Sequence, residues 1–151
     1  MSTQLSKEQL KALEDKVAVG KELRAAKLKA LVDVASIRRL ENEALLVDIE
    51  ASRGLTVGID LGVVWCPNGE MVAVSKPDLL SYEKFQVEAL EASVKDKDKV
   101  RDEFVKPYVV HPTTARELDS LCEVYGDVMF TAANLMSHMH DIDKDKTEGK
   151  S

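Results

Sequence analysis

Histidines and carboxylates near the C-terminus first suggest chemistry, because imidazole nitrogens and carboxylate oxygens bind metal ions. The group comprises His138, His140, Asp141, Asp143 and Asp145. His138 and His140 are two positions apart, so on a helix their side chains point about 200° apart and make poor co-ligands. The string DIDKDK has Lys146 where a calcium-binding loop requires glycine. We therefore expect no metal site.

A thiol nucleophile with a histidine base is the second chemistry to consider, with Cys122 and His111 as the candidates. Cys122 falls in an apolar helical face, and the sequence offers no orienting acid or oxyanion hole for it. Gly54, Gly58 and Gly62 match neither the P-loop nor the dinucleotide-binding fingerprint. The sequence predicts no catalytic residue and no cofactor, and hence a protein that is not an enzyme.

Composition restricts the partners. The chain has 151 residues and a formal net charge of -6, which fits one ordinary domain and disfavours phosphate binding. Cys66 and Cys122 are too few for a disulfide framework or a zinc site. No apolar run reaches the ~20 residues of a membrane span, and MSTQLSKEQLKALEDK lacks a signal-peptide core. We expect a cytoplasmic protein that binds neither nucleic acid nor membrane.

A long helical arm over residues 1–53 is predicted to precede the compact part of the chain. Ser6 and Gln9 form a capping-box start, and Gly54 is a natural stop after a helix that reaches about Ala51. Gly20 costs ~1 kcal/mol relative to alanine inside a helix, so we expect a break or bend there. Apolar positions recur at helical spacing through Leu10, Leu13, Val17, Leu23, Ala26, Ala30, Val34, Ile37, Leu40, Ala44 and Val47.

This apolar stripe drifts irregularly around the helix, so the sequence does not indicate one continuous two-stranded coiled coil. Two alternatives stay open: the stripe packs on its own domain, or it pairs with another copy or another protein. For the second alternative, the predicted partner contacts are Leu23, Val34, Ile37 and Leu40.

A β-hairpin and a bundle of about four short helices are expected over residues 54–140. Alternation from Val57 through Ile59 to Val63 predicts a half-buried strand, and Pro67-Asn68-Gly69 predicts a turn that pairs VVWC with MVAV. Trp65 is expected to cover adjacent helices, or, if exposed, to mark a partner site. The predicted fold class is therefore α+β, mostly helical.

Proline residues and N-cap residues predict where the helices of this region begin and end. The first follows Pro77-Asp78, with a core face of Leu79, Tyr82, Phe85, Ala89 and Leu90. A second begins within 96–99 and stops at Pro107, followed by an extended link at 108–110. Thr113 or Thr114 caps the third, with Glu117 as its capping-box partner, and the last begins at Asp127. Residues 141–151 are expected to form a disordered tail.

Two strings resemble the tail-assembly chaperones of long-tailed bacteriophages. They are VVWCPNGEMVAVSKPDLLSYEKF and VKPYVVHPTTARELDSLCEVYGDVMFTAANLM, which together cover about residues 57–139. The first is similar to that family's hairpin followed by a proline-started helix with an aromatic pair, here Tyr82 and Phe85. The second is similar to its ending of extended residues, an acidic-polar helix, a tyrosine turn and a small-residue helix. The long arm departs from the family pattern, and Gly126 stands where a proline is expected.

The resemblance implies a non-catalytic assembly factor in the host cytoplasm. Such a protein binds the tape-measure protein, keeps its apolar helices from aggregating and recruits tail-tube subunits. The alternative is a structural virion or scaffold subunit that forms a homo-oligomer through its N-terminal helix.

Overall fold

The protein is mostly helical and carries one small antiparallel sheet, as a computed structural model of residues 4–148 shows, with side chains described for 4–143. The elements are α1 (Lys7–Arg53), β1 (Leu61–Trp65), β2 (Met71–Ser75), α2 (Leu79–Glu91), α3 (Lys97–Val105), a 3-10 turn (Lys106–Tyr108), β3 (Val109–His111), α4 (Ala115–Val124) and α5 (Val128–Glu148). The predicted class, α+β and mostly helical, is confirmed.

Helix α1 is one uninterrupted helix of 47 residues. The Gln9 backbone N–H donates to the Ser6 hydroxyl at 3.1 Å, and the Ser6 N–H donates to Gln9 Oε1 at 3.0 Å, which confirms the capping box. The helix ends at Gly54, whose φ of 65° places it in the left-handed region. The expected break at Gly20 is wrong, because a propensity cost of ~1 kcal/mol does not interrupt a helix with good formers on both sides.

The hairpin forms where it was predicted, but β1 begins later. Strands β1 and β2 pair antiparallel with Val63 opposite Ala73, and the Gly69 N–H donates to the Cys66 carbonyl at 3.0 Å across the turn. Val57 and Ile59 lie outside β1 and are exposed. The strand predicted there is wrong, because residues 56–60 form a turn in which Gly58 has a φ of 90°.

Strand β3 is an addition that the sequence did not reveal. The predicted extended link continues into a strand that pairs antiparallel with β2, with Val74 opposite Val109. Strand β2 is thereby central in the order β1-β2-β3. Its residues Met71 through Val74 are all buried, so both sides of the strand are covered, as a central strand requires.

The core lies between the sheet and the helices α3, α4 and α5. Its fully or nearly buried members include Val72, Val74, Val105, Leu118, Val128, Ala132, Met136 and Met139. Helix α5 approaches β1 closely: a Cβ added at Gly62 would lie 3.1 Å from Leu135 Cβ. Glycine at this position therefore permits the close packing of α5 on the sheet.

Helix α5 continues well past residue 141, where the disordered tail was expected to start. It extends through Glu148, and Lys76 Nζ donates to Asp143 Oδ1 at 3.2 Å. The expectation of disorder is wrong for 141–148, because the polar segment propagates a helix already anchored in the core. Residues 149–151 of the expected tail lie outside the described residues.

The core face predicted for α2 is too wide. Tyr82 is buried and Phe85 half-buried, whereas Leu79 and Leu90 are 55% and 84% exposed. Aromatic contacts explain why the buried stripe is narrow. The ring centres of Tyr82 and His140 are 4.0 Å apart, and those of Phe85 and Phe104 are 4.2 Å apart, in stacked arrangements.

The other predicted helix boundaries are close to those observed. The Glu117 N–H donates to the Thr114 hydroxyl at 3.2 Å, so Thr114, rather than Thr113, is the N-cap of α4. Helix α3 ends at Val105, two residues before Pro107.

Substitutions at Tyr82 test the anchoring of α2. Its hydroxyl donates to Ser137 Oγ at 2.8 Å, so Tyr82→Phe should lower the free energy of unfolding by about 1 kcal/mol. Tyr82→Ala also removes the ring contacts and should cost about 3–5 kcal/mol. Urea denaturation followed by circular dichroism measures both. Equal losses for the two variants would contradict the packing described for the ring.

Candidate functional site

Helix α1 is the most unusual surface of the molecule, because none of its 47 residues is buried. Residues 7–34 are all exposed except Gly20, which is half-buried. At 1.5 Å per residue the helix is ~70 Å long, so it extends far beyond the small sheet. The contacts that hold it therefore come from its second half.

The hairpin turn between β1 and β2 docks directly against α1. Gly69 packs on the helix backbone so closely that a Cβ there would lie 2.8 Å from the Arg39 nitrogen and closer still to the Ala35 carbonyl oxygen. Asn42 Nδ2 donates to the Gly69 carbonyl at 2.9 Å, and Arg38 donates to the Asn68 carbonyl at 3.4 Å. The turn is thus bound to the helix by backbone-directed hydrogen bonds over a close contact.

Trp65 contributes a second contact beside this turn. The Arg39 guanidinium lies 4.5 Å from the centre of the Trp65 ring, within range for a cation–π interaction. The ring is half-buried. Trp65 therefore does lie on one face of the hairpin as predicted, and the helix that it contacts is the arm.

We call the side of α1 that meets the hairpin the docked face. Its half-buried residues recur every three or four positions from Ala35 through Arg38, Asn42 and Leu46 to Ile49, and Glu50 follows directly. At the C-terminal end of the face, the Glu50 carboxylate accepts a hydrogen bond from the Val57 N–H at 3.1 Å. This face is largely polar where it meets the turn.

We call the opposite side of α1 the outer face. It comprises Leu23, Ala26, Ala30, Val34, Ile37, Leu40, Ala44 and Val47, all of them exposed. Successive residues of a helix are 100° apart, so Ile37 lies about 200° from Ala35 at the docked turn. The docking of the hairpin therefore leaves the outer face uncovered.

The four predicted partner contacts all belong to the outer face. Their exposed fractions are 57% for Leu23, 51% for Val34, 60% for Ile37 and 68% for Leu40. The sequence left open whether the apolar stripe packs on its own domain or on a partner. For these four residues the first alternative is wrong in the isolated chain, because all of them are exposed. Their contact with a partner stays a prediction.

The docked face is the part of this site that sequence reasoning missed. Arg38 and Asn42 are polar, and a search for apolar periodicity passes over them. A usable signal does exist, because they lie four positions apart on the helix and can reach the backbone of a turn that carries a glycine. The sequence does not specify which turn they reach.

A groove of about 830 Å³ lies beside the docked turn, lined among others by Arg38, His111, Arg116 and Glu117. Partial burial lowers the pKa of His111, so its imidazole is neutral at pH 7. Cys122 is not among the lining residues. The structure therefore does not bring Cys122 into this groove with His111.

Both thiols are in environments that disfavour the thiolate. Burial, with a contribution from Glu70, raises the pKa of Cys66 to about 11. Burial, followed by the negative charge of Asp102, also raises the pKa of Cys122. A thiol that is protonated at neutral pH is a poor nucleophile.

The C-terminal histidines and carboxylates are dispersed. His140 is buried against Tyr82, whereas His138 is exposed and Asp143 pairs with Lys76. Among the described residues, no group of three or more His, Cys, Asp or Glu side chains is placed to bind a metal ion. The side chain of Asp145 lies outside the described part of the chain.

No protein-family model, no curated protein and no solved structure matches this chain. Within residues 4–148, no helix has both the length and the apolar composition needed to cross a bilayer.

Substitution of Gly69 tests the docking of the arm. Gly69→Ala combines a strained φ of 88° with a clash against α1. We expect the free energy of unfolding to fall by about 3 kcal/mol and amide exchange at 35–42 to accelerate.

Gly58→Ala is the matched control, because it has a similar φ of 90° and nothing within 4 Å of the added Cβ. It should cost only the strain of about 1–2 kcal/mol and leave exchange at 35–42 unchanged. Identical effects of the two variants would contradict a close contact between the turn and α1.

Trp65 is the only tryptophan of the chain and so reports on the same contact. Arg39→Ala removes the guanidinium from its ring, which should shift its fluorescence emission to longer wavelength and cost about 0.5–1 kcal/mol. Arg24→Ala is the control, since Arg24 donates to the Gly20 carbonyl of its own helix at 3.2 Å and lies well away from Trp65 along α1. Unchanged emission in Arg39→Ala would contradict the observed stacking.

Proposed function

We propose that this protein is a non-catalytic assembly factor that covers apolar surface on another polypeptide. The observation that carries the proposal is the outer face of α1, an apolar strip on a helix whose opposite side is fixed by the hairpin turn. Exposed aliphatic side chains follow one another along this side of α1, with Asp33 among them. A partner helix is the natural occupant of such a surface.

The energetics of such a surface suit a binding partner that is defined by its apolar character more than by its sequence. Burial of apolar area contributes ~25 cal/mol per Å², and covering one leucine or isoleucine contributes ~1.5–3 kcal/mol. A few such side chains supply useful affinity without finely oriented hydrogen bonds. An amphipathic helix that aggregates when left alone is the kind of client that this face fits.

The negative net charge of the chain favours a protein as the client over nucleic acid or anionic lipid, which carry phosphate groups. The net charge of -6 repels nucleic acid and anionic lipid. Mixed charges flank the outer face, including Lys27, Lys29, Glu41 and Glu43. Such a border selects a helix with its own mixed charges.

The resemblance to phage tail-assembly chaperones makes the proposal specific. On that resemblance, the client is the tape-measure protein, with tail-tube subunits as further partners, and the place of action is the host cytoplasm. The alternative function is a structural virion or scaffold subunit, which would use the same outer face for permanent self-association. The two differ in whether the protein leaves the finished particle.

A double variant tests the use of the outer face. Ile37→Asp with Leu40→Asp places two charges in the centre of the face, where burial against a client would desolvate them. Co-expressed with the tape-measure protein of its own phage, the wild type should keep that client in the soluble fraction. The double variant should lose at least about 90% of this effect, which corresponds to ~1.4 kcal/mol or more of binding free energy.

Lys21→Asp is the control, because it changes the net charge by the same amount at an exposed position of α1 outside the outer face. It should retain the client. Both variants should keep an unfolding free energy within about 0.5 kcal/mol of the wild type, as expected for exposed sites. Full client retention by the double variant would refute the proposed role of the outer face.

A further inference from the structure

We propose that, when no client is bound, the outer face of α1 pairs with the outer face of a second copy in an antiparallel coiled coil centred near Ala35. This inference rests on the proposed function, which takes the outer face to be an interaction surface. What is new is that a second copy occupies this surface when no client is bound.

The first observation is a seven-residue repeat confined to the middle of the arm. Two series of positions alternate at intervals of three and four residues, as the a and d positions of a coiled coil do. They are 23, 30, 37 and 44, occupied by Leu, Ala, Ile and Ala, and 26, 33, 40 and 47, occupied by Ala, Asp, Leu and Val. The drift of the stripe along the whole arm hides this local repeat, and the unbroken α1 carries it within one helix.

The second observation is a large residue opposite a small one near the centre of an antiparallel register. Reversal of the repeat about position 35 places Leu40 opposite Ala30 of the second copy, a large residue against a small one. The Val34 side chains of the two copies then meet beside the centre. Further from the centre, Ala44 faces Ala26 and Val47 faces Leu23. The interlocking of a large with a small residue is therefore provided by Leu40 and Ala30.

The third observation is charge complementarity, which selects the antiparallel arrangement. In that register Lys27 faces Glu41 of the second copy on one edge of the seam, and Lys29 faces Glu43 on the other edge. On the edge of Lys29 and Glu43, one repulsive pair, Glu22 with Glu50, lies beyond the repeat. Symmetry repeats all three pairs. A parallel pair would instead have one attractive edge pair, Glu22 with Lys27, and one repulsive edge pair, Glu43 with Asp48. Attraction therefore exceeds repulsion in the antiparallel arrangement alone.

The fold leaves room for this pairing. The hairpin and the helices behind it contact the docked face, on the far side of α1 from the seam. In the antiparallel arrangement the two compact regions lie on the outer sides of the helix pair, towards opposite ends. The hairpin borders the seam at Val34, which lines a cleft with Trp65 and Asn68.

Two features keep the pairing reversible. Asp33 occupies one of the a and d positions, where a carboxylate loses hydration on association. Glu43 already accepts a hydrogen bond from Arg39 Nε at 3.2 Å within its own helix, so its attraction to Lys29 of the second copy is shared. A weak self-association protects the apolar face and yields to a client helix that binds it better.

Zero-length carbodiimide cross-linking of the purified full chain tests the register directly. Residues 27 and 41 are ~21 Å apart along one helix, so a covalent amide between Lys27 and Glu41 can form only between antiparallel copies. We expect mass spectrometry to find the Lys27–Glu41 and Lys29–Glu43 links in a dimer band. A monomer in sedimentation at ~100 μM, or a dimer without either link, would overturn the proposal.

Charge reversal supplies the matched series. Glu41→Lys with Glu43→Lys makes every one of these pairs repulsive and should weaken dimerisation about 100-fold. Addition of Lys27→Glu and Lys29→Glu to the same chain restores complementarity and should bring the dissociation constant to within about threefold of the wild type. Failure of the quadruple variant to recover, with its helix content intact by circular dichroism, contradicts the register.

Glu8→Lys with Glu14→Lys is the control, because it changes net charge equally at exposed positions outside the repeat. It should leave the dimer unchanged. Client retention distinguishes failure of this inference from failure of the proposed function. A monomer that still keeps the tape-measure protein soluble refutes only the pairing, and a dimer that retains no client refutes only the client.

Discussion

The contact between the hairpin turn and the middle of α1 is the constraint on which the rest of the structure depends. Because Gly69 has no side chain, the turn reaches the helix backbone, where Asn42 bonds its carbonyl. None of the residues of α1 is buried, so no buried side chain fixes the rotation of the helix about its own axis. The turn fixes that rotation, and with it the side of the helix that faces solvent.

Because the rotation of α1 is fixed, some apolar residues of the arm pack on the compact region and others face solvent. Leu46 and Ile49 are half-buried on the docked face, whereas Ile37 and Leu40 face away from the compact region. A helix with apolar residues on both sides shows only a weak amphipathic pattern, although each side has a distinct role. The sheet and its helices serve in this account as the platform that presents the outer face.

The sequence predicted those elements whose local signals are strong. Ser6 and Gln9 specify the start of α1, and Pro67-Asn68-Gly69 specifies the hairpin, because capping and turn chemistry act over a few residues. Strand β3 was missed because its three residues gain their strand character only from pairing with β2. The polar docked face was missed for a similar reason, since Arg38 acquires its role only from a turn distant in sequence.

Site-specific photo-cross-linking in the native cell tests the central claim most directly. A photoreactive amino acid replaces Leu40 on the outer face or, as a control, Leu80 on α2, which is 77% exposed. The account predicts that position 40 forms a covalent adduct with a helical polypeptide, either the client or a second copy, and that position 80 does not. No adduct at position 40, or equal adducts at both positions, would contradict it.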